Sequence, residues 1–435
     1  MDAVRVLLLP FGCAGYDDAI AAAQTAQIAE KLASLGLKVT AAARIDDSSA
    51  ARTAAETYNA YNFDLAVLLP ITWSEPRFAA IAARAFFGKP IAVFCVNEFQ
   101  NGGARTEFSS APAAAALYGS LREMGVTCDF LPEWDEKRIL HLAAAARAIR
   151  VLRDAKLGFF GHNFNGITAA DLNLSQLRSR FGTEVFSFDV SELLAAMAKL
   201  DANGAAYRVA AEKVRTKITG LPEAYADRVI RMTAALGDYV QNYDLQALAV
   251  RCHTELSQTY GLTACLPLAV LGDELPCSCE ADLPVMLTEL LLSALAGGKT
   301  PSYADLRTFT QEGMSVGACG FAPCALTGGS AACGGENGYL TNASDLNGGR
   351  LTLARFQKRP DGSLALHLTE ATAKKEPSRL TEYGCAPYPM ATFVPDQPMA
   401  DFIRLVGANH YAFVYDEVKD AAAIFCRYAG VPMLH

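Results

Sequence analysis

The chain has 435 residues, 51% of them hydrophobic and 19% charged, with a formal net charge of -8. That length exceeds one core and predicts two or three domains. Scattered lysines and arginines exclude nucleic acid as an expected partner, and no apolar run of about 18 residues is present to predict a membrane span.

The start, "MDAVRVLLLPFG", lacks the basic flank of a secretory leader and reads as a first buried strand. Twelve cysteines in so large a chain then point to a reducing, cytoplasmic setting. From there strands and helices alternate. "DDAIAAAQTAQIAEKLASLG" is an amphipathic helix closed by Gly36, "DLAVLLPI" and "PIAVFCV" are buried strands, and "DEKRILHLAAAARAIRVLRDA" is a long helix. Continuous apolar strands separated by helices predict a parallel sheet covered on both faces, here an N-terminal Rossmann-like domain over 1–155.

A second α/β domain is expected over 156–313. It opens with "KLGFFGHNFNG", a strand running into a polar loop. Two long helices follow, the first broken near Gly204, and then the buried strand "LQALAVRC". The stretch "CSCEADLPVML" leads into the apolar helix "LPVMLTELLLSALAGG". From 314 to 435 the texture becomes Gly-rich and strand-rich, with "RPDG" as a turn signal, and a final helix "VKDAAAIFCRYAG". The expected fold is α/β: two doubly wound parallel-sheet domains followed by a β-rich C-terminal domain.

The first βα turn, "PFGCAGYDD", lacks the glycine fingerprint of a dinucleotide site. Cys277 and Cys279 are spaced C-x-C, not the C-x2-C of structural zinc, and read as packed thiols. The carboxylates carry more. Glu255 follows one buried strand, and Glu280 and Asp282 follow another apolar element. Polar groups after strand C-termini face the crevice of an open α/β sheet. Asp282 is also placed to cap the following helix. His410, in "NHYAFVY", can complete an oxygen-rich set suited to Mn²⁺ or Mg²⁺. Among the other histidines, His162 and His253 lie near strand ends, whereas His141 is within a helix, His367 within a strand and His435 terminal.

These segments, in this order, resemble the L-fucose/L-arabinose isomerase family in its shorter form. The resemblance is carried by "CSCEADLPVML", "YADLRTF", "GRLTLARF", "NHYAFVY" and "GHNFNGIT", and spans nearly the whole chain. It implies a homo-oligomer, often a hexamer, acting on an open-chain sugar. It also implies a divalent cation, usually Mn²⁺, held by Glu255, Asp282 and His410, with Glu280 able to take the place of Asp282. Two departures stand out: Ala318 where many relatives carry histidine, and Asp416-Glu417 where they carry Gly-Asp.

The chemistry suits such residues. Aldose–ketose interconversion moves a proton between C2 and C1 through an enediolate, and needs a base near the carbon and an electrophile on the oxygens. Glu255 and Asp282 are the expected proton carriers. His162, Asn163 and Glu280 are the expected sugar contacts. The alternative from another class is a non-catalytic cytoplasmic sugar-binding or regulatory protein.

Overall fold

The structure, a computed structural model, describes residues 2–59, 63–86, 88–96, 99–101, 104–106, 108–163, 167–252, 255–378 and 380–435. Two compact units emerge, one formed by 1–150 with 420–430, the other by 151–419 with 431–435.

In the first unit five strands form a parallel sheet in the order Lys38–Ala41, Arg5–Phe11, Leu65–Pro70, Ile91–Phe94, Asp129–Leu131. The central strands are buried along their length, as their unbroken apolar runs predict for a sheet with helices on both faces. The helix Lys419–Ala429, expected with the β-rich end of the chain, gives residues 420–430 to this unit instead. Its last turn explains why. Arg427 Nη2 lies 2.5 Å from Asp129 Oδ2, and the Tyr428 hydroxyl donates to the Ile91 carbonyl at 2.8 Å.

The second unit combines a parallel sheet with a closed barrel. The parallel sheet runs Cys277–Cys279, Ala247–Val250, Lys156–Phe160, Glu184–Phe188. The barrel is antiparallel. Its strands run in the order Gly349–Lys358, His410–Val414, Pro301–Phe309, Met314–Gly317, Met390–Pro395, Leu364–Lys375, and the last pairs back with the first. Leu306, Val316, Leu351, Leu353, Phe393 and Phe413 belong to one buried cluster. Ala318, the position where a histidine is common in the resembled family, is fully buried in the same cluster. The strand Pro301–Phe309 thus belongs to the barrel, ahead of the expected boundary at 313.

The break read at Gly204 separates helices Val190–Lys199 and Ala205–Lys217. The segment after the strand ending at Val250 makes a single π-helical turn, Leu256–Tyr260. Among the described residues no helix is long and apolar enough to cross a membrane.

The helix Leu283–Leu295 is buried at every position. Thr288 ties it to the barrel by accepting the Phe356 amide at 2.9 Å while donating to the Pro284 carbonyl at 2.6 Å. Glu289, in the same helix, is fully buried, and neither carboxyl oxygen has a hydrogen-bond partner among the described residues. Burial, with the nearby Asp282 charge adding to it, pushes its carboxyl well above the ordinary range. The folded state therefore keeps a proton that the unfolded chain releases near pH ~4.3. The stability associated with that proton is complete below this pH and declines as pH rises toward the folded value. Glu289→Gln removes the ionisation. Its unfolding free energy from urea titration will exceed that of the wild type at pH 8, by about 1–3 kcal/mol, and the gap will shrink toward pH 4. Equal free energies across that range would mean the carboxyl is satisfied after all.

Candidate active site

Every carboxylate singled out from the sequence lies at the C-terminal end of the parallel sheet. Strands Ala247–Val250 and Cys277–Cys279 are neighbours, with Val250 opposite Cys279, so the residues that follow them emerge side by side. The loop after Lys156–Phe160 emerges at the same end, since that strand pairs in parallel with the other edge of Ala247–Val250.

Glu280 and Ala281 form a tight turn, both in the left-handed region with φ of 57° and 51°, and Cys319 joins them at 43°. Each such residue costs about 1–2 kcal/mol for an L-amino acid. Three of them gathered around one carboxylate are strain maintained by the surrounding fold. The turn ends at Asp282, the N-cap of the buried helix, whose side chain accepts the Val285 amide at 3.0 Å.

Asp282, expected as ligand and proton carrier, is fully enclosed, and both of its oxygens are engaged. Arg355 Nη1 lies 3.2 and 3.1 Å from them, and His410 Nδ1 is 3.0 Å from Oδ2. Burial pushes the Asp282 carboxyl up, but Arg355, the His410 hydrogen bond and the Val285 amide outweigh it and hold the carboxyl below its usual range. The buried Arg355 also donates to the His410 carbonyl at 2.7 Å, so one guanidinium fixes both the acid and the backbone of the histidine.

With Nδ1 held by Asp282, His410 turns Nε2 toward Glu280, whose Oε2 lies 3.5 Å away. A carboxylate behind an imidazole fixes the ring orientation. The Glu280 side chain is 13% exposed where that of Asp282 is sealed, so Glu280 is the acid that solvent and solutes reach. The Cys319 thiol donates to its Oε1 at 3.0 Å.

Glu255 stands in a second group. It pairs with Arg251 at 3.0 Å, and His162 Nε2 lies 3.9 Å from it. Arg251 also reaches His162 Nε2 at 2.8 Å and the Asn163 carbonyl at 3.0 Å. The structure thus brings together Glu255, His162 and Asn163 in one group, and Glu280, Asp282 and His410 in the other. His253, Phe164 and Asn165 lie outside the described residues.

Thiols occupy the sheet end between these groups. Cys252 and Cys279 are 3.8 Å apart, Cys252 also pairs with Cys265, and Cys279 with Cys319. Hydrogen bonding to Cys252 and burial push Cys265 up, and Cys279 is raised by hydrogen bonds to Cys252 and Cys319 and by burial. These two are protonated packing groups, as their apolar surroundings imply.

The donors present are of the kind a hard divalent cation takes, carboxylate oxygen and imidazole nitrogen. The nearest approach to a ligand set is Glu280 with His410. Among the described residues no three His, Cys, Asp or Glu side chains converge closely enough to hold a metal ion.

Sequence reasoning did not find Arg355, Arg251, Tyr303 or Cys319 as site residues. Arg355 left a signal in "GRLTLARF": it continues the core-facing alternation of Leu351 and Leu353 with a charge, and a charge at such a position demands a buried partner. Tyr303 left none, because its relation to His410 depends on how two distant strands pair.

No family model matches the chain. It is similar to curated relatives: 26% identical to a sulfoquinovose isomerase of Clostridium sp. (strain MSTE9), over 82% of this chain and 82% of that one. It is 24% identical to a sulfoquinovose isomerase of Priestia aryabhattai, over 69% of this chain and 70% of that one. Among solved structures, an ABC-transporter solute-binding protein from Burkholderia multivorans overlaps 60% of this chain and 83% of its own at 12% identity, with a TM-score of 0.19, too loose a superposition to support an argument.

Proposed function

We propose that this chain is an aldose–ketose isomerase, an intramolecular oxidoreductase, whose substrate is a sulfonated hexose in its open-chain form. The class is supported by the relatives in Clostridium and Priestia, each a sulfoquinovose isomerase matched over most of both chains. The observation that carries the reading is the partly exposed Glu280, set in a strained turn against the Nε2 edge of a histidine that buried Asp282 and Arg355 hold in place.

In this reading one of Glu280 and Glu255 removes the C2 proton of the aldose and returns it to C1 while the O2 hydroxyl proton passes to O1, and the other orients the sugar hydroxyls with His162 and Asn163. Asp282 positions His410 and does not meet the substrate. A Mn²⁺ or Mg²⁺ ion would be held by Glu280 and His410, the nearest approach to a ligand set, and would supply polarisation of the sugar carbonyl. The resemblance to the fucose and arabinose isomerases favours a homohexamer.

The test is a panel of sulfoquinovose, L-fucose, L-arabinose and D-arabinose incubated with the protein and Mn²⁺ in heavy water and followed by proton NMR. Ketose carrying deuterium at C1 is expected, with sulfoquinovose the fastest. Binding of a sugar with no exchange at C1 or C2 would favour the non-catalytic sugar-binding alternative and overturn the proposal.

A further inference from the structure

Tyr303 has no assigned role, and its hydroxyl is in an unfavourable position. The side chain is fully buried, and its oxygen has no hydrogen-bond partner among the described residues. A phenol in that state forgoes the hydration it had in the unfolded chain, which is a net penalty to folding. Such groups are rare in native proteins, and each calls for an explanation.

Its surroundings supply one. Asp305 is paired directly opposite His410 across two barrel strands, and Tyr303, two residues along, shares their face. The Tyr303 ring centroid is 4.8 Å from that of His410. Burial raises the phenol, and the Cys319, Glu280, Cys279 and Asp305 charges push in the same direction, so it remains a proton donor. The ring that carries this hydroxyl thus packs on the imidazole whose Nε2 faces the accessible Glu280.

We propose that the Tyr303 hydroxyl contacts the substrate, donating a hydrogen bond to the sugar oxygen that gains negative charge during isomerisation. The assignment rests on the isomerase reading of the same site. An unsatisfied donor fixed before the ligand arrives requires no reorganisation when charge develops, which is how preorganised donors lower a barrier. The ring holds His410 by packing, and the hydroxyl serves the ligand.

Tyr303→Phe separates the two, because it keeps the ring and deletes the oxygen. Three readouts are expected. The unfolding midpoint of the sugar-free protein stays level or rises, since an orphaned polar atom has gone. With sulfoquinovose, kcat falls about 10- to 1000-fold while KM changes less. The thermal shift given by D-sorbitol, a non-reacting open-chain hexitol, shrinks. A midpoint that drops would show the hydroxyl to be a satisfied structural group, and an unchanged kcat would remove it from the reaction; either result overturns the proposal. If the wild type turns over no aldose, the isomerase reading is what fails. The hydroxyl is then judged on D-sorbitol alone: a shift lost in Tyr303→Phe supports a ligand contact, and a shift retained refutes it.

Discussion

Arg355→Met will lower the stability of the protein by about 3–5 kcal/mol, the usual cost of leaving a buried charge without its partner. Arg355 and Asp282 both have fully buried side chains, 3.1 Å apart. Methionine fills much of the volume but donates nothing. Asp282 would keep its His410 and Val285 contacts while losing the charge that holds it ionised, and the His410 carbonyl would lose a donor. The loss should be smaller in the double variant Arg355→Met/Asp282→Asn, because a neutral amide does not need the guanidinium. A double-mutant cycle on urea midpoints isolates that coupling. A single variant within about 1 kcal/mol of the wild type would show that the pair contributes little.

Glu280→Gln is expected to act on rate and not on stability. The side chain is partly exposed, and its partners include the Cys319 thiol and the His410 edge, neither of which needs a charge to stay folded. Glutamine keeps the shape and the strained turn but cannot accept the substrate proton. Loss of a general base costs about 100- to 10,000-fold, and kcat for sulfoquinovose should fall by that much with the urea midpoint unchanged. Deuterium exchange should fall in parallel. A variant with full turnover would pass the proton-carrying role to Glu255.

These two substitutions divide what the sequence reveals from what it hides. Glu280, Asp282 and His410 could be picked out because local rules place them: acids just past the ends of apolar segments and a histidine opening an aromatic strand. The same rules could not rank the two acids. Asp282 and Glu280 are two residues apart, and only the left-handed turn at Glu280–Ala281 sends one into the core as a cap and leaves the other at the surface. Alternating layers in the first 155 residues were legible because buried parallel strands must be apolar along their length. The partners of Asp282 were not, since Arg355 is 73 residues away and reaches it only once the barrel has closed. The terminal helix was recognised as a helix, but its pairing with Ile91 and Asp129 through Tyr428 and Arg427 leaves no local trace.

The barrel strands have one more consequence. His410, Asp305 and Tyr303 share a face because Asp305 is opposite His410 and Tyr303 opposite Ala412, and side chains alternate along a strand. A single residue inserted between Leu405 and His410, harmless in most surface connections, would shift the strand by one. The imidazole would then rotate into the greasy interior, and Asn409 would take its place before the acids. This short connection is therefore intolerant of length change, although the helix and loop that contain it make no contact with Glu280 or Asp282 among those described.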